Sequence, residues 1–426
     1  MRGKKLFMGL NVVLALFVMG TIMASTHAAA QTETVLINFN RNDKLVGGLE
    51  PDAGLIFDGA GNLYGTTIAG GTECAADAGC GTVFKLTPKA GGGWAETVLH
   101  NFNFNGQDGV NPAAGVIFDG AGNLYGTTLG GGAYGYGTVF ELERTEAGGF
   151  AEKILHSFGK NASDGQAPCA GVILDAAGNI YGTTSAGGFF GTGAVFEVEH
   201  TSSGGLAEKI LHSFTNKGTG GSDPLAGLIF DTAGNLYSTT SWGGAYGSGT
   251  VFELTPTAGG SWTETVLYAF GVERPDGINP DTGVIFDAAG NLYGTTIGSS
   301  VAAGKGTVFE LSPTASGTWT EQILYTFCSK NDCTDGTIPR DGVIFDAAGN
   351  LYGTTSAGGA AYHEPGGTAF ELKPTGDGSW TLTVLHSFVD DASPLASLIF
   401  DTSGNLYGTT YNGGAFGGGT VFEITP

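Results

Sequence analysis

A four-residue pattern, Gly-Asn-Leu/Ile-Tyr, returns seven times along this chain, and that recurrence restricts the fold more than any other feature. Its asparagine stands at Asn62, Asn123, Asn179, Asn235, Asn291, Asn350 and Asn405, at spacings of 61, 56, 56, 56, 59 and 55 residues. A motif repeated at such a period is a building unit before it is a chemical site. In the second unit four short apolar runs follow one another: "GVIFD" (115–119), "LYGTT" (124–128), "GTVFEL" (137–142) and "AEKILHSF" (151–158), designated strands a, b, c and d. In "FDGAGNLY" the Asp119 carboxylate can accept backbone N–H groups across a turn, while Gly122 and Asn123 tolerate positive φ, so a and b form a hairpin. The b–c connection is glycine-rich, c–d is looser, and d runs to the next a through "DGVNP", where Pro112 stops the ladder.

Four antiparallel strands per unit, seven times over, predict an all-β, seven-bladed β-propeller. The termini supply an independent argument. The last unit holds only a, b and c before the chain stops at "GTVFEITP", whereas "TETVLINF" (32–39) reads as a strand d without a unit of its own. Pairing the two ends completes the seventh blade and removes the exposed edges of an open array. A solenoid has no reason to split one repeat between its termini.

Residues 1–30 stand apart. A basic start (Arg2, Lys4, Lys5), an apolar run from Leu6 to Met23, and small residues at Ala28 and Ala30 read as a signal peptide cleaved before Gln31. The propeller is then a single domain over 31–426, exported to the periplasm or the medium, with no membrane span after cleavage. Loss of the leader's three basic residues moves the formal net charge from −23 to −26, which disfavours nucleic acid and anionic membranes as partners. The 77 glycines do not signal low complexity, because 41% of residues are hydrophobic and fall in short strand-like runs.

The units "GVIFDAAGNLYGTTSAGG…GTVFELTP" resemble the GloVer tandem repeat of secreted bacterial proteins with a choice of C-terminal anchor, and the D-x-x-G-N-L-Y-x-x-T core is similar to sensor-type regulator propellers. The resemblance covers essentially the whole mature chain. It implies an exported propeller-like repeat protein and specifies no biochemical role. The sequence ends at Pro426 inside the last repeat, so the expectation is a soluble product without the anchor of that family.

Most tempting constellations belong to the repeat. Asp58, Asp119, Asp175, Asp231, Asp287, Asp346 and Asp401 each sit in their own hairpin and read as turn caps. His100, His156, His212 and His386 share one register of strand d, with Tyr268 and Tyr325 in other units. On the outermost strand they line a wide perimeter and cannot share one metal, so packing is the expected role, and no metal or cofactor is expected. "DG" before the loop proline (Asp108, Asp164, Asp276, Asp335, with Asp390 equivalent and Gly47 and Gly220 in two units) reads as turn initiation. "GTGAVF" and "GSGTVF" lead into strands, not helices, and carry no nucleotide signal. Among the five cysteines, Cys74 with Cys80 and Cys328 with Cys333 are spaced for local disulfides, and Cys169 reads as a small buried thiol.

Departures from the repeat point to function. Asp52, Asp281, Arg340 and Asp341 place charge at the start of strand a, near the mouth of a central channel, and unit six adds His363 and Glu364 in its b–c loop. Tyr134, Tyr136, Phe189, Phe190, Trp242, Tyr246, Tyr362, Tyr411 and Phe416 decorate b–c loops, where rings either pack between blades or stack on a ligand. With no G-x-S-x-G motif and no appended catalytic domain, the favoured reading is a non-catalytic, monomeric binding or scaffold propeller. Its expected ligand site is Tyr134, Tyr136, Trp242, Tyr246, Tyr362, Asp52 and Asp281, taking a polysaccharide, another extended polymer or a cell-surface protein. The alternative is a polysaccharide lyase or hydrolase using Arg340, Asp341, His363 and Glu364.

Overall fold

The computed structural model describes residues 31–425 apart from 42–46, 73, 75–78, 202–204, 216, 273–275, 301–304 and 361–365. The expected leader lies outside the described residues. What is described forms seven four-stranded antiparallel sheets, and the only helical element among these residues is a single turn at Asn331–Cys333. Blade 2 runs from the inside out as Ile117–Phe118, Leu124–Thr128, Thr138–Arg144 and Phe150–Ser157, the a, b, c, d order of the sequence. No helix of the described residues is long and apolar enough to cross a membrane.

Closure follows the split repeat. Thr32–Asn40 is the fourth strand of blade 7, paired antiparallel with Gly417–Thr425 beyond Leu406–Thr410 and Ile399–Phe400. The c–d ladder of every other blade slips by one residue at the same place, as between Val139/His156 and Phe140/Ile154 in blade 2. The terminal pair repeats that bulge, with Val421 opposite Ile37 and Phe422 opposite Val35. The first strand of the chain therefore replaces a strand d in register as well as in sequence.

Each letter of the repeated phrase has a structural reason. The Oδ1 of Asp119 accepts the N–H groups of Ala121 (2.9 Å) and Asn123 (2.8 Å), and Oδ2 accepts the Asn123 side-chain amide (2.9 Å). Asn123 Oδ1 then accepts the Arg144 N–H at 3.0 Å, tying the hairpin to strand c. Gly122 sits at φ 86°, where a Cβ would be strained. Leu124 is fully buried, and the Tyr125 hydroxyl donates to Glu141 on strand c at 2.8 Å. At Gly126 a Cβ would fall 2.7 Å from the Phe140 ring, so only a very small residue leaves room for that ring. Thr128 Oγ1 lies 2.8 Å from Thr138 Oγ1 and donates to the Gly130 carbonyl at 2.9 Å.

The remaining threonine joins neighbours. In all seven blades the first threonine of strand b (Thr127 in blade 2) donates to a carbonyl at the start of the next blade's strand a, at 2.8–3.2 Å, and Thr409 closes the circle on Ala53. Apolar packing runs the same way. The phenylalanine ending strand d of one blade meets the strand-c phenylalanine of the next at 4.9–5.4 Å between centroids, from Phe102–Phe140 round to Phe39–Phe84. Each such ring is worth about 3–5 kcal/mol against truncation to alanine, so the blades hold one another through a continuous apolar belt.

Candidate functional site

Two sets of loops share one rim. Short two-stranded ladders tie the d–a loop to the b–c loop, as Gly109–Val110 with Gly130–Gly131 and Gly221–Ser222 with Trp242–Gly243. On the axis, the starts of the seven a strands enclose a cavity of about 540 Å³ lined by Asp52, Ala113, Cys169, Leu225, Asp281, Arg340 and Leu395, one residue per blade directly after the loop proline. Asp341, one residue further, and Ser397, two residues further, also line it. Backbones approach closely there: a Cβ on Gly115 would lie 2.8 Å from the Gly54 carbonyl oxygen of the preceding blade.

Sequence neighbours one or two blades apart thus become electrostatic neighbours. Burial pushes the Asp52 carboxyl up to about 7, Asp341 and Glu50 push the same way, and Arg340 opposes them. Asp281 is raised by burial, with the nearby Ser241 hydroxyl and the charge of Arg340 pulling it back. Burial also lifts Asp341 to about 6, although it accepts the N–H groups of Gly342 (2.6 Å) and Ser397. Three carboxyl groups, Asp52, Asp281 and Asp341, share the cavity with one exposed guanidinium, Arg340. Cys169 is half-buried in this wall instead of fully buried, because the a strands converge without closing over it, and burial raises its thiol to about 11.

This sevenfold geometry, repeated blade by blade, carries a sequence signature. The Gloeobacter/Verrucomicrobia repeat matches residues 72–271, 199–331 and 234–426. The chain belongs to this repeat family. No curated protein matches it. Among solved structures it is similar to a Bacteroides uniformis protein provisionally described as a 6-phosphogluconolactonase, at 14% identity and TM-score 0.47 over 76% of this chain and 84% of that one. It is also similar to a Penicillium chrysogenum α-L-arabinanase in complex with arabinobiose, at 12% identity and TM-score 0.42 over 73% and 91% of the two chains.

Within this member of the repeat family, the rim is uneven. Tyr134, Tyr136, Phe189, Phe190, Trp242, Tyr246 and Phe416 are exposed, Phe189 at 75% and Trp242 at 53%. These rings keep 45–75% of their surface exposed, outside the phenylalanine belt that fills the space between blades, and Tyr136 rests against Gly159. Tyr411 differs: it is half-buried and donates to Glu50 at 3.0 Å. Tyr362, His363 and Glu364 lie outside the described residues. Of the alternative catalytic set, Arg340 and Asp341 share the cavity with Asp52 and Asp281.

Both local disulfides are present, Cys74–Cys80 and Cys328–Cys333, and Cys169 is free. The hairpin aspartates behave as turn caps in every blade. The "DG" aspartates do more than start turns. Asp108, Asp164, Asp276 and Asp335 are buried and face the strand-d histidine or tyrosine of the preceding blade. The missed signal was the fixed eight-residue interval from histidine to aspartate in "HNFNFNGQD" and "HSFGKNASD".

Proposed function

We propose that this chain is an exported, non-catalytic binding propeller whose rim of d–a and b–c loops takes an uncharged or cationic extended polymer, with polysaccharide first. The observation that carries the reading is the run of exposed rings on the b–c loops of three consecutive blades: Tyr134 and Tyr136, Phe189 and Phe190, then Trp242 and Tyr246. Aromatic faces stack on the C–H faces of sugar rings, and several weak contacts along one polymer add to useful affinity. The net charge of −23 and the carboxyl groups Asp52 and Asp281 at the neighbouring mouth disfavour polyanions. Two disulfides fit the oxidising compartment that export implies.

A glycan array followed by titration calorimetry on any hit tests this. Trp242→Ala and Tyr136→Ala are each expected to weaken binding by about tenfold, in line with the roughly 0.5–1.5 kcal/mol of an aromatic contact beyond its buried area. If no glycan binds, or if both variants keep full affinity for a confirmed hit, a protein partner replaces polysaccharide as the reading. One observation favours a lyase or hydrolase as the second reading: Asp52, at about 7, is poised for proton transfer close to Arg340. Cleavage of a bound glycan that is abolished in Asp52→Asn would establish it.

A further inference from the structure

The perimeter of the ring carries seven versions of one interblade junction. Each is built from position H on strand d of one blade, position D on the following d–a loop, and position E on strand d of the next blade. At the first junction these are His100, Asp108 and Glu152, and at the second His156, Asp164 and Glu208. Nε2 of His100 lies 3.4 Å from Asp108 Oδ2 and 3.5 Å from Glu152 Oε1. Nε2 of His156 lies 3.4 Å from Asp164 Oδ1. Within each triad the three ligand atoms lie within 4.8 Å of one another.

Several of the facing atoms are buried and without a partner, although the histidine and glutamate themselves are half-buried. Asp108 is only 3% exposed, and its Oδ1 has no hydrogen-bond partner, nor have His100 Nε2 and Glu152 Oε1 beside it. At the second junction Glu208 Oε1 is unpartnered and Asp164 is 3% exposed, while His156 Nε2 and Asp164 Oδ1 share a hydrogen bond and the Lys160 N–H donates to Asp164 Oδ2 at 2.8 Å. Buried polar atoms are ordinarily paired, and a buried carboxylate with a half-buried one beside it needs a shared proton or another cation. Among the described residues, the basic group within 4 Å of Asp108 and Glu152 is the His100 imidazole, and no lysine or arginine lies that close. The other oxygen of Asp108, by contrast, is held by the Asn103 N–H (3.0 Å) and side-chain amide (2.8 Å), which fixes the carboxylate in orientation.

The geometry points to a divalent transition-metal site, of the zinc class, at His100–Asp108–Glu152, with a second at His156–Asp164–Glu208. One imidazole nitrogen and two carboxylate oxygens are a zinc-type donor set, and metal bonds of about 2.0–2.2 Å place tetrahedral ligand atoms about 3.3–3.6 Å apart, close to the 3.4 and 3.5 Å from His100 Nε2 to Asp108 and Glu152. Each ion would bridge the outer strands of two blades through the loop between them, stapling the ring at its circumference. The second would also steady the loop on which Tyr136 rests, since a Cβ on Gly159 would lie 2.3 Å from that ring. The proposal does not depend on the polysaccharide reading.

Three of the remaining junctions serve as internal controls. The third keeps His212 and Glu264, 3.4 Å apart, but has Gly220 in place of the aspartate. The fourth has Tyr268, whose hydroxyl donates to Glu321 at 2.9 Å and lies 3.4 Å from Asp276, so a phenol proton does there what a cation does at the first two. The fifth has Tyr325 on Asp335 at 2.7 Å, with Leu382 at the glutamate position.

The test is titration of chelator-treated protein with Zn²⁺ by calorimetry and with Co²⁺ by its visible absorption. Two equivalents are expected to bind, with a melting temperature that rises on adding Zn²⁺ and falls on chelation. Glu152→Gln and Glu208→Gln should each remove one equivalent, weakening that site more than the roughly 10–100-fold typical of outer-shell changes. Glu321→Gln, at the tyrosine junction, should leave both. One equivalent, lost with Glu152→Gln, would support the first site and overturn the second. No saturable uptake by the unaltered protein, or uptake unchanged by both substitutions, would overturn the proposal and leave proton-sharing carboxyl pairs at these junctions.

Discussion

The two ends of strand a hold the same residue type in opposite states. At its outer end, seven aspartates cap seven hairpins. Burial pushes the Asp119 carboxyl up, but the Asn123 N–H, its side-chain amide and the Ala121 N–H outweigh it and hold the carboxyl below the usual range, and Asp58, Asp287 and Asp346 behave alike. At the channel end, Asp52, Asp281 and Asp341 are raised, because convergence of seven strands removes water faster than the few available donors replace it. The hairpin aspartates are held by the donors of their own turns and serve the fold. At the channel, burial outweighs the donors and charges that oppose it.

The largest expected effect probes the recurring part. Deleting residues 31–40 removes the outer strand of blade 7 and Phe39, leaving Gly417–Thr425 as an open edge and Phe84 without its partner ring. A drop in melting temperature on the order of 10 °C or more is expected, since losing Phe39 alone is worth about 3–5 kcal/mol. An unchanged melting curve would show that the terminal strand does not close the ring.

Asp119→Ala comes next, with an expected loss of roughly 2 kcal/mol from the cap bonds of one hairpin. The sign with pH is fixed: a lowered folded pKa gives stability that is present above the unfolded value and vanishes as pH falls through the folded one. Chemical denaturation at pH 7 should therefore separate variant and parent more than it does at pH 3. An equal gap at both would mean that the carboxylate charge contributes nothing to the cap.

Asp52→Asn, whose effect is confined to high pH, has the opposite sign. A folded pKa raised to about 7 means that the native chain holds a proton the unfolded chain has released, so stability falls as pH rises from the unfolded value, about 3.9, toward 7. Asparagine removes that penalty and should raise the melting temperature at pH 8 while leaving it nearly unchanged at pH 4. A variant destabilised at pH 8 would mean that Arg340 neutralises Asp52, and the contrast between the two ends of strand a would fail there.

The seven units, the four strands of each and the hairpin role of Asp119 were legible in the sequence, because hairpin turns and strand alternation are encoded within about ten consecutive residues. The split seventh blade was legible too, since "TETVLINF" carries the strand-d pattern wherever it lies in the chain. Local disulfides follow from the same short range. The tertiary structure decided what depends on distances between blades. Only the closed ring brings Thr409 onto Ala53, gathers Asp52, Asp281, Arg340 and Asp341 around one cavity, and seats Glu152 beside His100. The exposure of Trp242 was also decided there, because whether a glycine-flanked ring packs inward depends on how completely phenylalanines from two different blades have filled the space between them.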